Sequence, residues 1–260
     1  MKHSTDRILT THTGSLARPA YLLDLMKVKE SGGPYDRSQY DAAVLQAVRE
    51  VVRRQAECGI DVVNDGEQSK TGFANYIRDR LGGFEPVKDA ARVGPPRSGG
   101  REEQLFPEYY EQYYKIGYFT TRVAVQYPMV CTGPITYKPE AIRRDLDNLK
   151  AALSEVPVEE VFVPATTPNL NQRNEYYKTQ DEFAYAVADA IAQEYRAIVD
   201  EGFLLQIDAP GLPRPSASAP SPEEARRQVE RRIEVLNYAV RDIPEEKVRF
   251  HTCFGVNMGP

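Results

Sequence analysis

From residue 128 onward, short buried apolar runs alternate with amphipathic helices, and that alternation restricts the chain to a parallel α/β sheet. The runs are Met129-Val-Cys-Thr132, Val158-Glu-Glu-Val-Phe-Val163, Phe203-Leu-Leu-Gln-Ile207 and Lys247-Val-Arg-Phe250. Between them lie helical stripes. Ile142, Leu146, Leu149 and Leu153 recur at helical spacing, as do Phe183, Val187, Ile191 and Ile198, and then Val229, Ile233, Leu236 and Val240. Two of these helices open on capping boxes, Thr179 with Glu182 and Ser221 with Glu224. The first third repeats the pattern. Residues 7–13 read as a strand turning at Gly14, and Arg18-Pro19 opens a helix. Ser38 caps a second helix, with Val44, Val48, Val51 and Val52 on its apolar face. Gly59 ends that helix, and the strand Ile60-Asp-Val-Val-Asn64 follows.

Strands begin near residues 8, 60, 129, 158, 203 and 247, each ending in polar residues. The expectation is a single domain over 1–260, a (β/α)8 TIM-type barrel with about six of its β/α units present. Residues 85–127 are expected to be an irregular loop or hairpin insertion, including a loop at 93–100, a tyrosine-rich stretch at 106–118 and a hairpin arm at 118–127. A doubly wound open sheet is the structural alternative; against it, no Gly-x-Gly-x-x-Gly or Walker loop follows the first strand.

Composition narrows the function classes. The chain is 41% hydrophobic and 27% charged, with a net charge of −5 and a pI near 5.4, which favours neither nucleic acid nor an anionic membrane. No run approaches the ~18 apolar residues of a membrane helix. Three widely spaced cysteines, Cys58, Cys131 and Cys253, suit a reducing cytoplasm better than a disulfide scaffold. The cytoplasm is the expected compartment, and the tyrosine-rich stretch at 106–118, an aromatic lid or an oligomer surface, keeps a homo-oligomer among the options.

The polar strand ends hold the chemistry. His251 and Cys253 stand at i and i+2 and would project from one face, as two soft ligands of a zinc site. Thr13-Gly14-Ser15, Asp65-Gly66-Glu67, Thr132-Gly133-Pro134 and Asp208-Ala209-Pro210 occupy corresponding places. Each is an ordinary turn by itself. On one barrel rim they would combine a carboxylate pair, Glu67 and Asp208, with donors at Gly14 and Ser15 and with two metal ligands. A zwitterionic amino acid with a thiol fits such a rim. Cys58 and Cys131 read as core.

Thr11-His-Thr-Gly-Ser-Leu-Ala-Arg-Pro19, Asp65-Gly-Glu67, Cys131-Thr-Gly-Pro134, Gln206-Ile-Asp208 with Pro210, and His251-x-Cys253 stand in this order over most of residues 7–260. In these motifs the chain resembles the catalytic barrel of the cobalamin-independent methionine synthase family, within the wider superfamily of uroporphyrinogen decarboxylase-like barrels. The resemblance implies that Gly14, Ser15, Glu67 and Asp208 bind the backbone of homocysteine. It implies that His251 and Cys253 ligate zinc, with a Glu and a second Cys further along the family's chain. The implied reaction is attack of a zinc-bound thiolate on a methyl or alkyl carbon, with a methylfolate among the donors. His12 is the candidate acid for the leaving group, or an orienting group. Asp208-Ala209-Pro210 departs from the family's Asp-Glu-Pro, which bears on the donor or acceptor used. The family's last two strands and remaining ligands have no counterpart before Pro260, so the chain is expected to be incomplete at its C-terminus, short by roughly 80–120 residues of an ordinary barrel. The alternatives are a metal-free decarboxylase-like lyase using Arg18 and carboxylates, and a non-catalytic truncated barrel.

Overall fold

A computed structural model describes residues 1–72, 76–87, 104–116, 129–168, 172–212 and 221–253. The first helices are α1 (Ala20–Glu30) and α2 (Arg37–Glu57). The cap of α2 is Asp36 rather than Ser38: its carboxylate accepts from the backbone N–H groups of Ser38 and Gln39, and Ser38 spends its hydroxyl on the same oxygen. Strand β1 (Val62–Val63) follows, then α3 (Ile77–Arg80), β2 (Leu81–Pro86), α4 (Pro107–Ile116) and β3 (Met129–Tyr137). The rest alternates as expected: α5 (Glu140–Leu153), β4 (Glu160–Thr166), β5 (Arg173–Asn174), α6 (Gln180–Asp200), β6 (Leu204–Asp208), α7 (Pro222–Ala239) and β7 (Val248–His251). Thr179 and Ser221 cap α6 and α7 through their hydroxyls, accepting from Glu182 N–H and Glu224 N–H.

Four strands form one parallel sheet in the order β1-β4-β6-β7. The segment near residue 10 joins its β1 edge through one parallel bridge, Thr11 to Val62, supported by Asp61 N–H and Val62 N–H donating to Thr10 O. Side chains alternate across this sheet. Val163, Ala165, Leu205 and Ile207 face α2, α5, α6 and α7 in the main core. Val62, Phe162 and Leu204 form a small buried cluster apart from it. Each fully buried aliphatic side chain contributes about 1.5–3 kcal/mol, so the helix-covered face dominates stability. That leaves the opposite face to hold polar groups.

The six-unit count needs correction. Thr132-Gly133-Pro134 is no turn, and β3 does not belong to the parallel sheet. Strand β3 runs straight through these residues for nine positions, antiparallel to β2 and parallel to β5, in a separate three-stranded sheet. The register slips between Gly82 and Phe84. Gly83 has φ 89°, and a Cβ there would sit 2.6 Å from Pro134 O, so the bulge that brings β2 against Pro134 requires glycine. The parallel elements are therefore five, counting the Thr11 segment. Among the described residues they form an open α/β sheet, not a closed barrel. The expected loop at 93–100 and hairpin arm at 118–127 lie outside the described residues.

Candidate functional site

The C-terminal ends of the parallel strands carry a row of polar side chains set by register. Thr166 pairs with Asp208, and Asp208 with His251, across three adjacent strands. Partners in parallel register share a face, so Asp208 and His251 meet. His251 Nδ1 lies 3.0 Å from Asp208 Oδ1. Gln206, two residues before Asp208 on the same face, donates from Nε2 to that same oxygen at 2.8 Å and to Thr13 O at 2.6 Å. Burial pushes the Asp208 carboxyl up, and the hydrogen bonds from Gln206 and His251 pull it back. One layer below, Arg249 lies over the Phe162 ring at 4.0 Å and donates to the Thr11 hydroxyl.

The loop after β1 supplies the second carboxylate. Asn64 Oδ1 accepts from Gly66 N–H, and Asp65 Oδ1 accepts from Glu67 N–H, two consecutive Asx turns. They hold Gly66 at φ 63° and Glu67 at φ 55°; among the described residues Glu67 is the non-glycine residue held in the left-handed region. Glu67 is buried, yet among the described residues its carboxylate makes no hydrogen bond. Gly14 packs against it: a Cβ at residue 14 would stand 2.8 Å from Glu67 Oε1. Ser15 beside it is exposed. Arg18 binds the loop from beneath, its NH2 donating to the carbonyls of Glu67 and Lys70.

His12 sits behind Gly14. Gly14 N–H donates to its Nδ1 at 3.2 Å, and its Nε2 faces Gln55 Oε1 at 2.7 Å, which assigns the proton to Nε2. Both nitrogens are thus engaged with the scaffold. Gln55 in turn joins α2 to Asn64 through the backbone N–H and C=O of Asn64.

The structure therefore brings Gly14 together with Glu67, and Asp208 together with His251. It joins the two pairs through Gln206 and Thr13. Cys253 is half-buried two residues past His251. Among the described residues no group of three or more His, Cys, Asp or Glu side chains could hold a metal ion, so His251 and Cys253 stand as two donors, not a complete shell. Cys131 is buried in the other sheet, its thiol donating to Gly133 O. Two neighbours have roles that the sequence did not assign, although Gln206 stands in a quoted motif. Gln206 had a signal, a polar residue inside a buried run at period two from Asp208. Lys70 had none; it is buried, donates to Pro164 O at 2.6 Å and lies 4.5 Å from the Tyr76 ring.

Comparison with known proteins supplies the context. No family model matches the chain. It is 27% identical over 250 residues to a methionine synthase of Sulfolobus acidocaldarius, covering 95% of this chain and 61% of that one. It is 26% identical over 251 residues to a methionine synthase of Thermococcus kodakarensis, covering 94% and 61%. The chain is similar to methionine synthases. It spans 61% of the length of these curated relatives. Its fold matches a B12-independent methionine synthase from Shewanella in complex with selenomethionine, with a TM-score of 0.64, 18% identity and coverage of 95% and 61%. It also matches a putative B12-independent methionine synthase from Listeria monocytogenes, with a TM-score of 0.63, 18% identity and coverage of 95% and 67%. The sequence matches support the resemblance to methionine synthases, and the structural matches support the fold. Among the described residues no helix is long and apolar enough to cross a membrane.

Proposed function

We propose that this methionine synthase relative binds a homocysteine-type thiol at the ends of its parallel strands and takes part in zinc-dependent methyl transfer to it. The observation that carries this reading is the Asp208–His251 pair, with Glu67 beside it, at the strand ends of a chain related to methionine synthases. The parallel sheet is read as the wall of a (β/α)8 barrel, whose strand ends are where such chemistry gathers. His251 and Cys253 fit two zinc positions by donor type. Zinc, when bound, would hold the acceptor sulfur as thiolate, where a free thiol with a pKa of about 8.5 is mostly protonated at pH 7.

The remaining roles belong to the chain's own groups. Glu67, with no hydrogen bond among the described residues, is placed to take the substrate ammonium. Asp208 Oδ1 is occupied by Gln206 and His251, which leaves Oδ2 for the same ammonium. Ser15 offers its hydroxyl and backbone N–H to the substrate carboxylate, since the Gly14 N–H is already donated to His12. His12 acts by fixing that turn. A methylfolate is the donor class the relatives suggest, and the cytoplasm the expected compartment.

Zinc titration with and without homocysteine tests the reading. Zinc uptake should be lost in the His251→Ala, Cys253→Ala double variant, and homocysteine should tighten it in the parent chain by adding a sulfur ligand. Equal uptake by the double variant, or no effect of homocysteine, would overturn it.

A further inference from the structure

His251 and Cys253 are the candidate donors, but a histidine ligates well only when its ring is held and the correct nitrogen is bare. Which nitrogen carries the proton is set by the partner of the other. Here His251 Nδ1 is 3.0 Å from Asp208 Oδ1, while among the described residues Nε2 has no hydrogen bond. A buried carboxylate oxygen can only accept when ionised, so the contact requires a proton on Nδ1 and leaves the Nε2 lone pair exposed. Asp208 itself is 6% exposed, and Gln206, at 2%, is bonded to the same Oδ1. Gln206 Nε2 also reaches Thr13 O, so the carboxylate is anchored to the turn that carries Gly14 and Ser15.

We propose that Asp208, buttressed by Gln206, is a positioning residue that holds His251 in its Nδ1–H tautomer and presents Nε2 as a metal ligand. This adds to the acceptor-binding role given to Asp208 above, and it rests on reading His251 as a ligand. It also makes Gln206 and Thr13 a physical link between the metal donor and the substrate turn.

The test is nitrogen NMR of the His251 ring in the metal-free chain at pH 8, where an ordinary imidazole is neutral, followed by zinc competition against a chromophoric chelator. The parent should show the Nδ1–H form. Asp208→Ala should release it and weaken zinc binding about 10- to 100-fold. Asp208→Asn keeps an acceptor oxygen and should preserve the tautomer. An Nε2–H ring or a tautomer mixture in the parent overturns the proposal, and so does unchanged zinc affinity in Asp208→Ala. The parent spectrum needs no variant, so a folding defect cannot mask the answer. A held tautomer without zinc uptake would end the metal reading of the site and leave the positioning role standing, so the two failures are distinguishable.

Discussion

Glu67 Oε1 lies 2.8 Å from the point where a Cβ on residue 14 would stand. Two loops from distant parts of the sequence thus meet with no room for a methyl group between them. Gly14 has φ 144°, a conformation that side chains avoid, and its missing Cβ would also meet Pro164 Cγ at 3.2 Å. Gly14→Ala should therefore destabilise the fold by about 1–3 kcal/mol and push the Glu67 carboxylate out of place. Urea denaturation gives the first number and homocysteine calorimetry the second. A variant with parental stability and affinity would show that the contact relaxes at no cost.

Glu67 is held at φ 55°, where a side chain costs about 1–2 kcal/mol relative to glycine. It is retained beside Asp208 with no hydrogen bond to its carboxylate among the described residues. That is the pattern of a group kept for binding at the expense of stability. Glu67→Gly should raise the denaturation midpoint slightly while abolishing homocysteine binding, and Glu67→Gln should lose binding without the gain. Loss of stability in Glu67→Gly would mean the carboxylate supports the fold.

Much of this site is legible in the sequence. Buried runs and capping boxes located β4, β6 and β7, and their polar ends put Asp208 and His251 at strand ends; the register that pairs the two comes from the structure. The second sheet was not legible. Strand β2 is Leu-Gly-Gly-Phe-Glu-Pro, and two glycines and a proline in six residues read as loop by propensity. It exists because Gly82 and Gly83 let its backbone bulge against Pro134, a tertiary contact with no local signature. The same contact turned Thr132-Gly133-Pro134 from an apparent turn into strand. The tautomers of His12 and His251 depend on partners 43 residues away in each case, which spacing cannot reveal.

Asp65 lies under the Glu67 loop, and burial pushes its carboxyl up from 3.8 to about 6, with the Lys70 ammonium opposing the shift. Because the folded value is raised, the native state holds this proton more tightly than the unfolded chain. Stability from this group therefore falls as pH rises from about 4 to about 6, and the full penalty, on the order of 3 kcal/mol, remains at pH 7. Asp65→Asn removes the charge and keeps an oxygen for Glu67 N–H. The parent should lose stability relative to Asp65→Asn across pH 4–7 in urea titrations. A difference constant over that range would rule out the buried charge as the cause.

Arg80 at the end of α3 is 2% exposed and joins three elements. Its NH2 bonds Asp145 on α5, its Nε lies 3.3 Å from Glu194 Oε2 on α6, and Glu194 also accepts from the Tyr137 hydroxyl on β3. Among the described residues Arg80 Nε and NH1 have no hydrogen-bond partner, so its desolvation is only partly offset. For such a cluster the cost of breaking one member far exceeds the net worth of the whole, because the carboxylates left behind remain buried without their cation. Arg80→Met alone should destabilise by about 3–5 kcal/mol. Replacing Arg80, Asp145 and Glu194 together with Met, Leu and Met should recover most of that loss, leaving the variant near the parent. Thermal unfolding of the two variants decides the matter. If the triple variant is as unstable as the single one, the ion cluster itself stabilises the junction of α3, α5 and α6.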